Sequence, residues 1–257
     1  MMNLFDLKDK NILFTAGSSY LGSAMVEGLC AFGANVVITG RNMDKCQALL
    51  HRCGNRCHSV FMDVTDEGSI KKTCREVVQQ FGSIDVLVNN ANFSRPGAFE
   101  KISGEDFAKG IDGTINSVFR VTSEVLRYML KMKRGSIINI ASMYGLVAPN
   151  PDVYGDTGWD NPASYGAGKA AIIQLTRYLA CTYGRRGIRV NCISPGPFPS
   201  VKVQENSDFV QRLSEKTPLG RIGKPEELKG VIVFLASEAS SYVTGQNISV
   251  DGGWTAW

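Results

Sequence analysis

Ser142, Tyr165 and Lys169 have complementary chemistry and lie within one stretch of the chain. Ser142 follows the apolar run 135–141, which is typical of a buried strand. Tyr165 and Lys169 are four residues apart at the start of an apolar helix pattern. Residues i and i+4 of a helix lie on the same face, so the phenol and the ammonium can share one site. A serine hydroxyl beside them would hold a substrate oxygen while a proton moves.

The proposed acid/base role of Tyr165 requires a change in its pKa. The pKa of a free tyrosine is near ~10, and lowering it to about 7 requires about 4 kcal/mol of differential interaction. A fixed cation one helical turn away favours the phenolate, so we expect Lys169 to lower the pKa of Tyr165. These side chains predict proton transfer at a substrate oxygen. A redox reaction would need a further partner, which these side chains do not supply.

A dinucleotide site is predicted near the start of the chain. The buried-strand pattern 11–15 is followed by the small-residue turn Ala16-Gly-Ser-Ser-Tyr-Leu-Gly22 and by a helix pattern over 23–32. This order of elements aims backbone N–H groups and a helix N-terminus at a pyrophosphate. The turn therefore supplies a candidate site for the missing redox partner.

Length, composition and pattern indicate one soluble α/β domain spanning residues 1–257. Helical and strand patterns alternate along the chain, which predicts a parallel sheet with helices on both faces. A net charge of +4 without a dense Lys/Arg run argues against a nucleic-acid partner. We see no secretory signal and no apolar run of about 18 residues, so we expect a cytoplasmic protein with no membrane association.

Three of the seven cysteines lie close to both histidines, in the set Cys46, His51, Cys53, Cys57 and His58. A zinc site is conceivable here, but the spacing lacks the paired C-x2-C form. An odd cysteine count in a cytoplasmic chain indicates free thiols rather than disulfides. We interpret this set as coincidence and predict no metal.

The chain resembles the short-chain dehydrogenase/reductase family over nearly its whole length. The motifs that carry the resemblance stand in the family's order and spacing: the Thr15–Gly22 turn, Asp63-Val64, Asn89-Asn90-Ala91, Ser142, Tyr165-x-x-x-Lys169, Pro195-Gly196 and Val250-Asp-Gly-Gly. The resemblance implies a single Rossmann-type doubly wound parallel sheet of seven strands in the order 3-2-1-4-5-6-7. It also implies an NAD(P)(H)-dependent oxidoreductase that interconverts a carbonyl and a secondary alcohol, assembled as a homodimer or homotetramer.

The resemblance also assigns residues to roles. The catalytic residues it implies are Ser142, Tyr165, Lys169 and Thr114, the last in register with an asparagine of the family's catalytic tetrad. Asn116 lies about 200° further around the helix and cannot replace that asparagine. The cofactor-binding residues it implies are Gly17, Ser18, Ser19, Tyr20, Leu21, Arg41, Asp63, Val64, Asn90, Ala91, Tyr165, Lys169, Pro195 and Gly196.

The residues that end the second strand bear on the choice of cofactor. Folds that prefer NAD usually place a carboxylate there for the ribose 2′-OH, whereas an arginine accepts a 2′-phosphate. Gly40 followed by Arg41 therefore favours NADP(H), with NAD(H) as the alternative. The other interpretation of Arg41 is a solvated residue at a strand end.

Four positions depart from the family pattern. Ala16 replaces a glycine of the turn and is compatible with it where its φ is negative. Ser19 or Tyr20, depending on the spacing used, replaces a second glycine, and Asn92 replaces the glycine after Asn-Asn-Ala. A threonine expected after Pro195-Gly196 is missing, and Ser200 is the nearest hydroxyl.

An insertion at 146–162 separates Ser142 from Tyr165. Its aromatic and acidic residues suit a hydroxyl-rich sugar, sugar acid or polyol, or exclude anionic acyl carriers: Asp152, Tyr154, Asp156, Trp159 and Asp160. Similar insertions occur in family members that resemble gluconate 5-dehydrogenases. A surface loop or an oligomer contact is an equal alternative. Residues 197–217 show little periodicity and predict a substrate lid.

Two other functions compete with the oxidoreductase. The altered turn and the missing tetrad asparagine are compatible with a cofactor-binding sensor or assembly protein with weak or no catalysis. A hydrolase built on Ser142 needs a histidine base, and both histidines, His51 and His58, belong to the distant first half.

Overall fold

The computed structural model of the protein describes residues 3–257. Its centre is one parallel sheet of seven strands in the order β3-β2-β1-β4-β5-β6-β7, as predicted. The strands are β1 (Asn11–Thr15), β2 (Asn35–Gly40), β3 (Cys57–Phe61), β4 (Val86–Asn89), β5 (Gly135–Ile140), β6 (Ile188–Pro195) and β7 (Asn247–Val250). All neighbouring strands pair in parallel, so their carboxyl ends meet at one edge of the sheet.

Helices cover both faces of the sheet. Within the described residues the α-helices are α1 (Tyr20–Ala31), α2 (Met43–Cys53), α3 (Glu67–Phe81), α4 (Gly104–Ile111), α5 (Ser117–Met132), α6 (Pro151–Tyr154), α7 (Ala163–Tyr183), α8 (Val201–Gln204), α9 (Ser207–Glu215) and α10 (Lys229–Ala236). None of them is long and apolar enough to cross a membrane.

The burial pattern of the central strands explains the two helical layers. Successive strand residues point to opposite faces, and β1 is buried at every position. Phe14 packs in one apolar cluster with residues of α1 and α10, whereas Leu13 packs in another with residues of α3 and α5. A strand that is apolar on both sides requires cover on both sides, which is the doubly wound arrangement.

The chain is continuously helical over 104–132 but changes its winding in the middle. A π-helical turn, Asp112–Asn116, joins α4 to α5. Such turns are rare and often occur at functional sites. This one places Thr114 in the interior, against α7.

Candidate active site

A cleft of about 330 Å³ opens at the carboxyl edge of the sheet. The predicted catalytic residues Ser142, Tyr165 and Lys169 all line it. Its other lining residues are Ala16, Ser19, Tyr20, Leu21, Asn90, Asn92, Ile140, Ala141, Pro195, Gly196 and Phe198. The fold therefore brings together residues from the turn after β1 and from the ends of β4, β5 and β6, as expected for an open parallel sheet.

Ser142 is positioned by the end of β5. The strand stops at Ile140, and Ser142 then begins a short 3₁₀ turn, Met143–Gly145, as its N-cap. Its Oγ accepts a hydrogen bond from the backbone N–H of Tyr144 at 3.2 Å. The side chain is 6% exposed, so this contact fixes the hydroxyl at the wall of the cleft.

Lys169 is held by the main chain of β5. Its Nζ donates a hydrogen bond to the carbonyl oxygen of Ile140 at 2.6 Å and lies 5.5 Å from the centre of the Tyr165 ring. Tyr165 and Lys169 therefore share one face of α7, as their spacing predicts. Burial lowers the pKa of Lys169 to about 8, because the ammonium loses most of its hydration.

The expected direction of the Tyr165 pKa shift is not found in this structure. Burial raises the pKa of Tyr165, and the hydroxyl of Ser142 acts in the opposite direction with a smaller effect. Lys169 does not reverse this shift because its ammonium is directed at the Ile140 carbonyl rather than at the phenol oxygen. The phenol is therefore a proton donor here, and forming the phenolate requires further positive charge in the cleft.

The structure does not support a catalytic role for Thr114. Its Oγ1 donates to the carbonyl oxygens of Gly110 at 2.9 Å and Ile111 at 3.2 Å, and the residue is fully buried. It packs against Gly168, where an added Cβ would lie 2.0 Å from the threonine Oγ1. Thr114 packs beneath α7 and does not line the cleft, and its catalytic role stays a prediction from register alone. Asn116 does not replace it either, because its side chain bonds to Asp112.

The turn after β1 keeps only the glycines that its packing requires. A Cβ on Gly17 would lie 2.5 Å from Ile38, and one on Gly22 would lie 2.8 Å from the carbonyl oxygen of Ala16. Ala16 has a φ of 51°, in the left-handed region, so the condition under which alanine would fit this turn without strain is not met. A left-handed alanine costs about 1–2 kcal/mol because its Cβ crowds the backbone.

The serines of the turn serve the local structure. Ser19 caps α1 by accepting from the N–H of Gly22 at 3.2 Å. The hydroxyl of Ser18 bonds to the thiol of Cys46 at 3.6 Å. Of the predicted cofactor residues in this turn, Gly17 and Ser18 do not line the cleft, whereas Ser19, Tyr20 and Leu21 do.

Asn90 ties the end of β4 to the same turn. Its amide nitrogen donates to the carbonyl oxygen of Ala16 at 2.9 Å and to Ser19 Oγ at 3.1 Å. The backbone N–H groups of Asn90 and Ala91 both donate to Thr15 Oγ1 at 2.9 Å. The asparagine motif thus holds the turn in place, in addition to any contact with a cofactor.

A second, smaller cavity of about 100 Å³ continues from the first along the sheet edge. It shares Ala16 and Asn92 with the cleft and is also lined by Thr39, Gly40, Arg41, Met62, Asp63, Val64, Ala91 and Phe93. Thr65 donates two hydrogen bonds to the Asp63 carboxylate, which lower its pKa, and Arg41 acts in the same direction. The predicted residues Arg41, Asp63, Val64 and Ala91 are therefore found together, one cavity away from Tyr165.

The segment 197–217 forms helices α8 and α9 rather than an irregular loop. Phe209 and Leu213 of α9 are buried in one apolar cluster with Tyr144, Val153 and Trp254. Gln204 of α8 donates a hydrogen bond to the hydroxyl of Tyr20 at 3.2 Å. The predicted lid is thus joined directly to the turn after β1.

The insertion packs on α9 rather than standing free. The guanidinium of Arg212 donates to the carbonyl oxygen of Val153 at 2.8 Å, and the ring of Trp159 meets that of Phe209 edge-on at 5.2 Å. The hydroxyls of Tyr144 and Tyr154 lie 2.9 Å apart. The insertion and the predicted lid therefore pack together as one unit.

The insertion carboxylates do not line the cavities described here. Asp160 accepts a hydrogen bond from the backbone N–H of Gly97, and Asp152 and Asp156 are exposed. A cavity of about 650 Å³ is lined by Trp159 together with residues of the predicted lid, namely Lys202, Val203, Glu205, Asn206, Ser207 and Asp208. It shares no lining residue with the cleft, and its polar groups come from the segment 197–217, which the composition of the insertion did not indicate.

Phe198 is a cleft residue that the sequence motifs did not predict. Pro195 and Gly196 line the cleft as predicted, and a Cβ on Gly196 would lie 2.4 Å from Cα of Asp251. Phe198 lines the cleft beside them and packs against Gly223. The sequence signal that could have indicated Phe198 was an aromatic residue directly after Pro-Gly-Pro. Ser200, the hydroxyl nearest to this motif, serves as the N-cap of α8.

Comparison with known proteins agrees with this geometry. The sequence profile described as "Enoyl-(Acyl carrier protein) reductase" matches residues 16–255. The chain belongs to the short-chain dehydrogenase/reductase family. It is similar to the 3-oxoacyl-[acyl-carrier-protein] reductase FabG of Thermotoga maritima, with 37% identity covering 96% of this chain and 98% of the relative.

Two solved structures of this family show the same fold with a cofactor bound. A gluconate 5-dehydrogenase from Burkholderia cenocepacia in complex with NADP and tartrate matches with a TM-score of 0.89 at 31% identity, covering 99% of this chain and 98% of that one. A short-chain dehydrogenase from Leptospira borgpetersenii with bound NAD+ matches with a TM-score of 0.86 at 33% identity, covering 99% and 96%. The family is one of NAD(P)-dependent oxidoreductases, and its members include users of either dinucleotide.

Proposed function

We propose that this chain is an NADP(H)-preferring reductase or dehydrogenase that interconverts a small, hydroxylated carbonyl compound and its secondary alcohol. The arrangement of one cleft carries this proposal: Ser142, Tyr165 and Lys169 on one wall, and Pro195-Gly196 on another. The glycine turn completes the cleft and extends it toward Arg41.

The proton chemistry rests on three side chains. In the reductive direction Tyr165 donates the proton of its hydroxyl to the carbonyl oxygen, which Ser142 holds by a hydrogen bond. Burial keeps Tyr165 protonated, which suits an acid. A bound nicotinamide would supply or accept the hydride. Lys169, fixed by the Ile140 carbonyl, places positive charge near the phenol and would hold the ribose of a bound cofactor.

The residues present fit a dinucleotide. The two cavities meet at Ala16 and Asn92, so one extended molecule can occupy both. The N-terminus of α1 supplies unpaired backbone N–H groups for a pyrophosphate. Arg41 stands at the smaller cavity, where an NAD-preferring site would place a carboxylate for the ribose. Arg41 therefore supports the preference for a 2′-phosphate.

A cavity beside the predicted lid supports a polar substrate. Lys202, Glu205 and Asp208 give this cavity charges of both signs, and Trp159 supplies an aromatic face. A small polyol, sugar or sugar acid matches this mixture of polar groups better than a long acyl chain does. The two relatives differ in this respect, since one is a 3-oxoacyl-[acyl-carrier-protein] reductase and the other is a gluconate 5-dehydrogenase.

A substrate panel tests this assignment. We expect oxidation of NADPH with keto derivatives of sugars and sugar acids, and a lower kcat/KM with a 3-oxoacyl thioester. Loss of turnover in Ser142→Ala, with cofactor affinity retained, would assign the reaction to this cleft. A higher kcat/KM for the acyl thioester would overturn the substrate class, and an active Ser142→Ala would overturn the site.

The cofactor preference has its own test. We expect Arg41→Ala to weaken NADPH binding by about tenfold or more, because an arginine–phosphate contact is a charge-assisted hydrogen bond. NADH binding should stay within about twofold. Lys45→Ala, in the first turn of α2, is a matched control for lost surface charge. Equal losses for NADPH and NADH in Arg41→Ala would contradict the assignment.

A cofactor-binding protein without substantial catalysis is the second candidate. The strained Ala16 and the absence of a tetrad asparagine at Thr114 favour it. Fluorescence titration that shows NADPH binding, combined with no turnover across the whole panel, would support this function over the first. Assembly as a dimer or tetramer and a cytoplasmic location stay predictions, and Phe119 and Tyr178, exposed on α5 and α7, are available for self-association.

A further inference from the structure

Three cysteines converge at the amino edge of the sheet, opposite the cleft. Cys30 is the penultimate residue of α1, Cys53 ends α2, and Cys57 begins β3. Their sulfur atoms all lie within 4.8 Å of one another, and within residues 3–257 no other such group of histidine, cysteine and acidic side chains is found. We infer that Cys30, Cys53 and Cys57 form a binding site for one soft, thiophilic metal ion, Zn²⁺ or Cu⁺.

The grouping differs from the one suggested by the sequence. Cys46 bonds to Ser18, and His58 packs against the ring of Phe81 at 4.9 Å, so neither joins the cluster. The fold replaces them with Cys30, a residue from another helix. Cys53 and Cys57 are separated by the 3₁₀ turn Gly54–Arg56, which reverses the chain and brings the two sulfurs to the same side.

The geometry suits a metal better than an accidental contact. Metal–sulfur bonds of ~2.3 Å place three thiolates about 3.8–4.0 Å apart, which small side-chain rotations provide from the present positions. Thiolate sets select Zn²⁺ and Cu⁺ over harder ions. Cys30 and Cys57 are buried, whereas Cys53 is partly exposed and leaves a path for the ion and for a water as fourth ligand.

The surroundings favour a cation and hold the ligands in place. The carboxyl ends of α1 and α2 both meet here, and this end of a helix attracts positive charge. Arg56 donates to the carbonyl oxygen of Gly33 at 2.8 Å, which anchors the turn between Cys53 and Cys57 to the chain beyond α1. Each thiol that binds the ion releases its proton.

A bound ion would link α1, α2 and β3 at a point far from the chemistry. A ligand that binds only the folded state stabilises that state by mass action. At free metal about 100 times its Kd, we expect the Tm of the reduced protein to rise by about 5 °C. Basal oxidoreductase activity should not depend on the ion.

The test uses the full chain, reduced and freed of metal with a chelator. Zn²⁺ and Cu⁺ are titrated separately against chromophoric chelators, and Co²⁺ is used as a spectroscopic substitute. We expect one ion per chain and a thiolate-to-cobalt charge-transfer band. In Cys53→Ser the band and the Tm rise should be lost, whereas Cys181→Ser, which removes a single exposed thiol, should match the wild type.

A labelling experiment on the unmodified chain keeps the test independent of mutant folding. Added Zn²⁺ or Cu⁺ should protect Cys53 from alkylation by at least tenfold and leave the labelling of Cys181 unchanged. Equal metal uptake in Cys53→Ser and wild type, or no protection of Cys53, would overturn the inference. A disulfide within the trio in air-purified protein, with no metal uptake after reduction, would overturn it as well.

Discussion

The two ends of the cleft differ in the backbone strain that they tolerate. At the catalytic end the backbone is packed without spare room. A Cβ on Gly168 would lie 2.0 Å from Thr114, and one on Gly145 would lie 2.8 Å from the backbone of Lys169. At the other end, in the turn after β1, Gly17 and Gly22 are packed as closely, but Ala16 adopts a left-handed conformation with a φ of 51°, where glycine is the favoured residue.

This difference shows where the molecule requires precision. The reacting side chains stand on regular elements whose separation is set by direct backbone contact, so small displacements are resisted. The turn after β1 tolerates an unfavourable residue because Asn90 and the N-cap Ser19 secure it. Substitutions at the catalytic end should therefore lower the activity or the stability, whereas a substitution at the other end can raise the stability.

The largest effect should come from Tyr165→Phe. Removal of the proposed proton donor should lower kcat by about 10²–10⁴-fold, which is the usual contribution of a positioned general acid. Cofactor affinity and Tm should change little, since the ring remains. Steady-state kinetics with the best substrate from the panel and NADPH titration measure these quantities. Retention of wild-type turnover would remove the basis for the proposed mechanism.

Close packing at the catalytic end can be tested with Gly168→Ala. The added Cβ overlaps Thr114, so the free energy of unfolding should fall by about 1–3 kcal/mol. Gly230→Ala in α10 is the matched control, since a Cβ there meets nothing within 4 Å. That control should gain about 0.5–1 kcal/mol from helix propensity. Urea denaturation measures both, and equal effects would contradict the packing argument.

Burial of the Lys169 ammonium predicts a pH dependence of stability. The pKa of Lys169 is lowered to about 8 from an ordinary value of 10.5, so between these values the unfolded chain holds a proton that the folded chain has released. Stability from this position therefore rises with pH across that window. From pH 8 to pH 10 the wild type should gain about 2 kcal/mol relative to Lys169→Met. The control is Lys131→Met, which removes an exposed lysine and should show no such change. A constant difference between wild type and Lys169→Met would refute the shift.

The smallest effect concerns the turn after β1. Ala16→Gly should raise the free energy of unfolding by about 1 kcal/mol, because glycine adopts a positive φ without crowding. Ala31→Gly at the exposed end of α1 makes the same chemical change in helical backbone and should be destabilising by about 0.5–1 kcal/mol. Thermal and urea denaturation compare the two. A loss of stability in Ala16→Gly would show that the turn is not strained.

The sequence was informative where chemistry follows from residue type and element order. Alternating patterns predicted the parallel sheet, the family resemblance implied its strand order, and the spacing of Tyr165 and Lys169 predicted their shared face. The sequence was uninformative where a backbone conformation or a backbone partner decides what a residue does. The φ of Ala16 and the bonding of Thr114 to the carbonyl of Gly110 are not encoded in a local pattern. Cys30 likewise joins Cys53 only through the fold, since the residues are distant in sequence.

The contact between the insertion and helix α9 has a consequence for altering the enzyme. Arg212 and Phe209 of the lid hold Val153 and Trp159 of the insertion, so the two segments constitute a single exchangeable unit. A chimera that receives only one of them inherits either the Arg212 guanidinium or the Trp159 indole without its counterpart. An exchange of either segment with that of a relative therefore requires residues 146–162 and 197–217 to move together.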